Sequence, residues 1–391
     1  MRTLKFVKYL PQYDFEPIVL SISTKAYPRI DKSLMAMVPA NIRIFRSFGM
    51  DARKHLSVKG RYPGFLANPD RWSSWIPVAV LKGIRLVKKY NIDVVFSTYP
   101  IPSAHIIAKH ISHFTKKPWV ADFRDQMWDD YSVLTKRDLL SRKKIEQQTI
   151  KNATRIVVAT DGIRDLFLKR YRQIVAPEKM HVINNGFDES DFAEIVPSNN
   201  QTHFPLHLIH AGLLEPTDRN PIPFFHAIKL LVEKENLKGA LRVDLIAPGN
   251  YDAYRQKVKE LALTDFIHIL PSVPYHQALQ KMAEADILLL FQGESCNAQI
   301  PAKAYEYLRI GKPVFALTPK NGETAKVISE NKAGIVVDPN DPKKIADALL
   351  EWFRLLRKGE KLINPSPDVA AKYSRKYQTL ELVSCFKDII K

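Results

Sequence analysis

Short apolar runs alternate with helical patterns along most of the chain. The runs are rich in Val and Ile and lack strict polar alternation, which is typical of strands covered on both faces. The predicted strands are Pro17–Ser23, Val94–Thr98, Trp119–Phe123, Ile156–Thr160, His181–Asn184, Leu206–Ala211, Arg242–Ala247, Ile267–Leu270, Ile287–Phe291, Val314–Leu317 and Ile335–Val337. The predicted helices include Ile76–Tyr90, Lys136–Lys151, Pro223–Glu235, Tyr251–Ala262, His276–Ala285, Pro301–Ile310 and Pro342–Arg357. This alternation predicts an α/β fold with parallel sheets, arranged as two Rossmann-like doubly wound domains facing a cleft.

Two polar segments divide the pattern. Val196–His203 predicts an interdomain linker, which separates a domain at 1–195 from a second at 204–363. A break at Asn364–Asp368 precedes a last helix, Tyr373–Ile390, and we expect the segment 368–391 to cross back to the N-terminal domain. Ligands of doubly wound folds bind at the carboxyl ends of the strands, so we expect the functional residues there.

The start of the first domain departs from this pattern. A doubly wound domain normally opens with a strand and a Gly-rich turn, whereas here an amphipathic helix pattern at Leu4, Val7 and Leu10 comes before the first predicted strand. The first strand usually lies in the middle of such a sheet. We therefore expect the first strand to be missing from 1–195 and the true start to lie upstream. The alternative is a sheet that closes up without that strand.

The composition is that of a soluble globular protein, with 46% hydrophobic and 26% charged residues, which excludes a disordered chain, a collagen-like fibre and a disulfide scaffold. Cys296 and Cys385 are interpreted as reduced intracellular thiols. No uncharged apolar run approaches the roughly 18 residues of a membrane span, and the N-terminus lacks a secretory signal. We expect a cytoplasmic protein, with the inner face of the cell membrane as a candidate peripheral location.

The net charge of +18 is unevenly spread, since residues 1–200 carry +14 and the remainder carries +4. The first half is therefore expected to meet an anion, such as nucleic acid, a membrane surface or a phosphorylated substrate, unless the charge is merely solvated. No recognition helix or aromatic stacking motif supports nucleic acid, which we do not expect as a partner. An amphipathic segment is either an anionic-membrane face or a packed helix with a solvated basic side; it contains Trp72, Trp75, Lys82, Arg85, Lys88 and Lys89.

The strongest chemical signal is the segment Ile300–Gly311, which predicts a helix entered through Pro301. Lys303 and Glu306 are spaced i, i+3 and share a face near the N-terminal end. The free N–H groups and positive dipole of that end favour a diphosphate, and Lys303 adds a charge for phosphate oxygens. Glu306 could accept hydrogen bonds from ribose hydroxyls. The alternative is a surface ion pair on an ordinary helix.

Five segments of the chain, which follow one another in the same order as in the family, resemble the family 4 retaining glycosyltransferases of the GT-B fold. The resemblance is strongest to bacterial members of cell-surface polysaccharide pathways such as lipopolysaccharide and capsule. The helix segment and the strand that follows match a Pro-x-Lys-x-x-Glu-Tyr pattern and a Gly-Lys-Pro pattern at Pro301, Lys303, Glu306, Tyr307, Gly311, Lys312 and Pro313. The other four segments contain Ser97, Pro100, Pro102 and His105; Asp122, Arg124, Asp125 and Trp128; Asn185, Gly186 and Asp188; and Gly212 and Arg219.

The resemblance implies retaining transfer of a sugar from a nucleoside diphosphate sugar to a lipid-linked or polysaccharide acceptor, with no cofactor and no metal. The catalytic residues it implies are Arg219, Lys303, Arg124 and Asp125. The donor-binding residues are Gly212, Glu306, Pro301, Ala302 and Tyr305. The acceptor-side residues are Ser97, His105 and Asp122.

Three positions depart from the family pattern. Ala298 replaces the first glutamate of a Glu-x7-Glu pair, Leu213 stands at the usual place of an arginine, and Arg124 stands where many members have histidine. These departures leave open a catalytically weak relative that serves as a nucleotide-binding or partner subunit. A nucleotide-sugar epimerase, which can share the two-domain shape, is a further alternative.

Overall fold

The computed structural model describes residues 2–28, 30, 35, 37–57, 61–131, 134–196, 205–235, 237 and 239–390. The chain forms two compact units, one made of Met1–Asn185 with Arg375–Lys391 and the other of Gly186–Ser374. Of the predicted linker 196–203, all but Val196 lies outside the described residues. No helix in the described part of the chain is long and apolar enough to span a bilayer.

The strands are β1 (Ile18–Ile22), β2 (Arg43–Ser47), β3 (Val95–Thr98), β4 (Trp119–Phe123), β5 (Arg155–Val158), β6 (Met180–Val182), β7 (Leu206–Ala211), β8 (Leu241–Ile246), β9 (Ile267–Leu270), β10 (Ile287–Phe291), β11 (Val314–Leu317) and β12 (Gly334–Val337). The α-helices are α1 (Arg2–Tyr9), α2 (Ala52–His55), α3 (Trp75–Tyr90), α4 (Pro102–Thr115), α5 (Lys136–Asn152), α6 (Asp161–Tyr171), α7 (Ile222–Lys234), α8 (Tyr251–Glu260), α9 (Tyr275–Glu284), α10 (Ala302–Ile310), α11 (Glu323–Glu330), α12 (Pro342–Arg357), α13 (Pro367–Ala370) and α14 (Arg375–Lys387).

The first unit contains two parallel sheets. The larger has the order β3-β4-β5-β6, and β1 pairs with β2 in a separate two-stranded sheet. Every residue of β4 is buried, as expected for an apolar strand covered by helices on both faces. The final helix α14 packs against α1, where Phe386 and Leu382 share a core with Phe6 and Leu10.

The second unit is built on one parallel sheet with the order β12-β11-β10-β7-β8-β9. Side chains of β10 alternate between its two faces. Leu289 belongs to the core under α7, α8 and α12, whereas Leu288 and Leu290 belong to the core under α9, α10 and α11. Burial of each such side chain contributes roughly 1.5–3 kcal/mol. The predicted α/β fold with two Rossmann-like units is therefore confirmed.

Each of the eleven predicted strands overlaps a strand of the structure. The strand β2 was not predicted, because Arg43 and Arg46 interrupt its apolar positions and are exposed. A short strand with charged, exposed positions carries a weak pattern, which is typical of a sheet edge.

Candidate functional site

The order of the second sheet reverses between β7 and β10. The chain runs outward from β7 through β8 to β9 and then returns to β10, on the other side of β7. In open parallel sheets, ligands bind at the carboxyl ends of the strands beside such a reversal. Here the loop after Ala211 and the loop that leads from Phe291 to α10 both leave the sheet at that edge.

Gly212 lies beside Lys303 at this edge. Its φ of 152° falls in the region that favours glycine, and its N–H donates to the Ile246 carbonyl at 2.9 Å. A Cβ on Gly212 would lie 3.6 Å from Cε of Lys303. The aliphatic part of Lys303 therefore lies beside the loop after Ala211, which is the first loop of the second unit. The segments that contain Gly212 and Lys303, which sequence analysis selected separately, are thus neighbours.

The start of α10 offers free donors. Pro301 precedes the helix with extended dihedral angles, and its own side chain makes no capping hydrogen bond. The N–H groups of the first turn have no partner within a helix, so those of the half-buried Lys303 and the exposed Ala302 remain available to an anion.

Glu306 is held from two sides. Its Oε2 pairs with Nζ of Lys303 at 2.8 Å, and its Oε1 accepts a hydrogen bond from the Tyr275 hydroxyl at 3.0 Å. Glu306 is buried, with 8% of its surface exposed, whereas Tyr275 is 40% exposed. The i, i+3 spacing thus produces an ion pair at the mouth of the site, and a tyrosine from the start of α9 fixes the carboxylate.

Arg219 lies on the same first loop, half-buried, with its N–H bonded to the Glu215 carbonyl at 2.9 Å. The loop is tied to the segment after β10, since the Gly293 N–H donates to the Asp218 carbonyl at 2.6 Å. A Cβ on Gly293 would lie 3.2–3.3 Å from the carbonyl oxygens of residues 217 and 218, so glycine permits this close approach.

The pKa of His210 is sensitive to the charged residues of the site. It is buried, and its Nδ1 donates to the Leu289 carbonyl at 2.9 Å. Burial is the main reason that the pKa of His210 is lowered to about 4; the Leu289 carbonyl opposes the shift, and the charges of Lys303 and Arg219 add to it. Both cations therefore act on one buried position beneath the site, and His210 stays neutral at physiological pH.

Sequence analysis missed Gln292, which shapes the loop before α10. Its amide nitrogen donates to the carbonyls of Cys296 at 2.6 Å and Gln299 at 2.9 Å, and its oxygen accepts from the Thr324 hydroxyl at 2.9 Å. The one available signal was a polar residue directly after an apolar strand. Tyr275 was also missed, because nothing in the sequence around it indicates a contact with Glu306, 31 residues away.

Tyr305 does not lie with the other predicted donor residues. It is fully buried in the core under α10, and its ring centroid is 5.0 Å from that of Tyr373. The helical repeat turns positions 303 and 306 to one face and position 305 to another. Tyr305 therefore anchors α10 to its unit, while Lys303 and Glu306 face the site.

The carboxyl edge of the first unit carries Arg124 and Asp125, which directly follow β4. Nε of Arg124 donates to the Tyr99 carbonyl at 2.6 Å, so this side chain secures the loop after β3. Asp125 is half-buried. Burial raises its pKa, and the neighbouring Arg124 opposes that shift.

Asp122 is fully buried at the end of β4 and is bound by Arg2. Nη2 of Arg2 lies 3.1 Å from Oδ1 of Asp122, and it also donates to the Ile183 carbonyl at 2.9 Å. The Thr98 hydroxyl donates to Oδ2 at 2.8 Å. The carboxylate expected on the acceptor side thus holds the ends of several segments together, and Arg2, 120 residues away, gave no sequence signal.

Ser97 and His105 form an interior network. The Ser97 hydroxyl accepts from Nε1 of Trp119 at 2.8 Å and lies 2.7 Å from Nδ1 of His105. His105 has no exposed surface, and burial lowers its pKa to about 3. The structure therefore places these two predicted acceptor-side residues in the core beneath α4.

Within the described residues, no group of three or more His, Cys, Asp or Glu side chains forms a metal-binding cluster.

Comparison with known families covers most of the chain. The family model described as Glycosyltransferase Family 4 matches residues 6–191, and the model described as Glycosyl transferases group 1 matches residues 205–354. No curated protein matches the chain.

Several solved structures are similar. A glycosyltransferase from Rickettsia africae shares 16% identity with a TM-score of 0.64, over 100% of this chain and 94% of that one. Anabaena Alr3699/HepE in complex with UDP and glucose shares 14% identity with a TM-score of 0.67, over 99% and 95%. The lipopolysaccharide outer core galactosyltransferase WaaB shares 15% identity with a TM-score of 0.59, over 93% and 87%. At these identities the similarity concerns the fold.

Proposed function

The chain belongs to the family 4 glycosyltransferases of the GT-B fold, and on that premise we propose that it transfers a sugar, with retention, from a nucleoside diphosphate sugar to a lipid-linked or polysaccharide acceptor. One observation carries the donor half of this proposal: Gly212, Lys303 and Glu306 meet at the strand-order reversal of the second unit. Anabaena HepE, which binds UDP, has a similar fold and makes UDP the first nucleotide to test.

The chemistry of the donor site is electrostatic. Negative charge grows on the diphosphate as the sugar leaves, and preorganised donors stabilise that charge without rearranging. The charges of Lys303 and Arg219 and the first-turn N–H groups of α10 supply such donors. Glu306 binds the ribose hydroxyls in this account. We propose that these groups support transfer without an added metal, which activity in the presence of EDTA would test.

A lipid-linked acceptor lies in a membrane, so the protein needs a surface that can bind the bilayer. We assign this surface to the exposed side of α3. Val78 and Leu81 are 38% and 60% exposed, and Arg85 and Lys88 continue the same stripe. Apolar and basic residues in such a stripe favour an anionic bilayer. Trp75, by contrast, is buried and donates to the Ser47 hydroxyl at 2.6 Å, and Trp72 is half-buried, so of these two tryptophans Trp75 belongs to the core.

Membrane binding is tested by sedimentation with phosphatidylglycerol and phosphatidylcholine vesicles. We expect binding to the anionic vesicles only, and its loss in Leu81→Glu. Leu140→Glu is the matched control, because Leu140 is equally exposed, at 59%, on α5. Equal binding of both variants would contradict the assigned surface.

Transfer itself is tested by incubating the chain with labelled UDP-sugars and a bacterial lipid extract, and by determining the anomeric configuration of the product by proton NMR. We expect a product that retains the donor configuration and a strong decrease in Arg219→Ala. Arg255→Ala is the control, since Arg255 is an exposed arginine of the same unit. Conversion of the sugar nucleotide without an acceptor would favour the epimerase alternative, and nucleotide binding without any turnover would favour a non-catalytic subunit.

A further inference from the structure

The loop that follows β4 is fastened to α5 at Met127. The Met127 N–H donates to Oε2 of Glu146 at 2.7 Å, and the Met127 carbonyl accepts from Nη1 of Arg142 at 3.3 Å. The Met127 side chain is itself buried. Arg142 and Glu146 are four residues apart on α5, so they project from the same face of that helix. One helix face therefore holds both backbone polar groups of Met127.

Glu146 is fully buried and also connects the loop to α6. Its second oxygen, Oε1, accepts from Nη1 of Arg170 and from the Tyr171 hydroxyl, both at 2.7 Å. Cζ of Arg170 in turn lies 3.6 Å from the ring centroid of Trp128, the next residue of the loop. Burial of a carboxylate is costly unless donors surround it, as they do here. Glu146 thus ties the loop after β4 to two helices at once.

Arg142 extends this connection to the loop after β3. Its Nη1 also donates to the Tyr99 hydroxyl at 3.3 Å, and the Tyr99 carbonyl accepts from Nε of Arg124 at 2.6 Å. Tyr99 is buried. The chain is therefore anchored on both sides of Asp125, through Arg124 before it and through Met127 after it.

Asp125 is held through its neighbours and not through its own carboxylate. In the part of the chain that the structure describes, this carboxylate forms no hydrogen bond and no ion pair. Asp122, at the end of β4, is by contrast bound by Arg2 and by the Thr98 hydroxyl. Asp125 is also only half-buried. Of these two carboxylates, Asp125 is thus the one whose oxygens are available to a ligand.

We propose that Glu146 and Arg142 are positioning residues for sugar transfer, and that they hold the loop after β4 so that the Asp125 carboxylate meets the acceptor hydroxyl. This inference rests on the proposed function. A carboxylate accepts a hydrogen bond from a hydroxyl group, which is the nucleophile of the transfer. Displacement of a reacting group by about 1 Å can lower a rate on the order of 100-fold, so the fixed backbone matters here. Glu146 and Arg142 act through Asp125 and do not touch the acceptor.

A double-mutant cycle tests whether Glu146 acts through Asp125. We expect Glu146→Ala to lower kcat on the order of tenfold. The Kd for UDP should not change, because the donor site lies in the second unit. In a chain that carries Asp125→Asn, Glu146→Ala should have little further effect on kcat, since the effects of coupled residues are not additive.

Further variants separate positioning from folding. Glu146→Gln keeps an acceptor for the Met127 N–H and loses the ion pair with Arg170, so we expect it to retain most of kcat. If Glu146→Ala does not fold, Arg142→Met tests the same contact from the carbonyl side, with an expected decrease in kcat of about threefold to tenfold. Arg137→Met, at an exposed arginine of α5, is the matched control and should retain kcat.

Titration of the Asp125 carboxyl group by ¹³C NMR does not depend on turnover. Burial is the main reason that the pKa of Asp125 is raised in the intact chain. Release of the loop in Glu146→Ala should therefore return this pKa towards its ordinary value, whereas Glu146→Gln should preserve it. If the pKa falls as expected but the intact chain transfers no sugar, the proposed function fails and the hold on Asp125 is confirmed.

Three results would overturn the inference. The first is an unchanged Asp125 pKa in Glu146→Ala. The second is a set of kcat losses that add fully when Glu146→Ala is combined with Asp125→Asn. The third is an equal loss of kcat in Glu146→Gln and Glu146→Ala, since the effect would then come from the ion pair with Arg170.

Discussion

Tyr275 and Glu306 lie 31 residues apart in sequence, and the tyrosine hydroxyl donates to Oε1 of the carboxylate at 3.0 Å. Because Lys303 occupies the other oxygen at 2.8 Å, the carboxyl group is fixed in one orientation before any ligand arrives. Preorganisation of this kind lowers the cost of binding, since no side chain has to be ordered when the ribose docks.

Tyr275→Phe should therefore weaken nucleotide binding while leaving the cations in place. The hydrogen bond is present with and without nucleotide, so only the preorganisation of Glu306 is lost; ordering a side chain on binding costs about 0.5–1.5 kcal/mol, and we expect the Kd for UDP to rise by about threefold to tenfold. The effect on kcat should be smaller, because the hydroxyl is neutral and offers no positive charge to the diphosphate as negative charge grows on it. Titration calorimetry with Tyr131→Phe, a change at an exposed tyrosine of the first unit, is the matched comparison. An unchanged Kd would show that Glu306 needs no support from Tyr275.

Lys303→Met and Arg219→Ala should act mainly on the transition state. Charge grows on the diphosphate during transfer, so loss of either cation should lower kcat by about tenfold to a hundredfold, with a smaller effect on KM. Lys303→Met should be the more damaging of the two, since it also leaves Glu306 without its ion pair beside an anionic ligand. Steady-state kinetics with Lys320→Met, at an exposed lysine of the same unit, provide the baseline. A rise in KM alone would assign these residues to ground-state binding.

Asp122→Ala should destabilise the first unit. It leaves Arg2 buried without its carboxylate, a change that typically costs about 3–5 kcal/mol. Asp161→Ala removes a surface pair with Arg164, where both side chains are more than a third exposed, and should cost less than about 1 kcal/mol. Urea denaturation measures both, and nucleotide affinity should stay the same in each. A small loss of stability in Asp122→Ala, together with lost transfer, would return Asp122 to the acceptor side.

Much of the fold followed from the sequence because buried parallel strands are continuous apolar runs. The run Trp119–Phe123 predicted β4 with its correct ends, and the spacing of Lys303 and Glu306 predicted their shared face. Side-chain contacts between residues far apart in the sequence produce no such local pattern. Neither the contact of Arg2 with Asp122 nor that of Tyr275 with Glu306 follows from any local pattern.

The environment of a polar residue was equally hard to predict. Ser97 on β3 and His105 on α4 belong to a segment that resembles a family motif, yet both bond within the core, where the Ser97 hydroxyl contacts Trp119 and His105. A polar residue near the end of a strand faces either the ligand edge or a neighbouring helix, and only the three-dimensional packing decides which.

Stability should decrease in mild acid, with two buried histidines contributing. Burial lowers the pKa of His105 to about 3 and that of His210 to about 4, against an ordinary value near 6.5. The unfolded chain thus binds more protons than the folded chain once the pH falls below about 6.5. Each histidine then reduces the free energy of unfolding by about 2 kcal/mol at pH 5, and the loss continues until the pH passes the folded pKa.

Urea melts at pH 7 and pH 5 measure this loss. In His105→Gln the difference between the two pH values should shrink by about 2 kcal/mol, whereas His276→Gln, at an exposed histidine, should retain it in full. An identical pH dependence in the two variants would show that His105 is protonated in the folded protein.

The central claim is that the donor nucleotide binds at the start of α10, and calorimetric titration of the purified chain with UDP, GDP and ADP tests it most directly. Glu306→Ala and Glu330→Ala, the latter at an exposed glutamate on α11, should be titrated beside it. We predict selective binding of one nucleotide, which Glu306→Ala weakens at least tenfold and Glu330→Ala leaves unchanged. Equal affinity in both variants would contradict the account, because the nucleotide would then bind elsewhere.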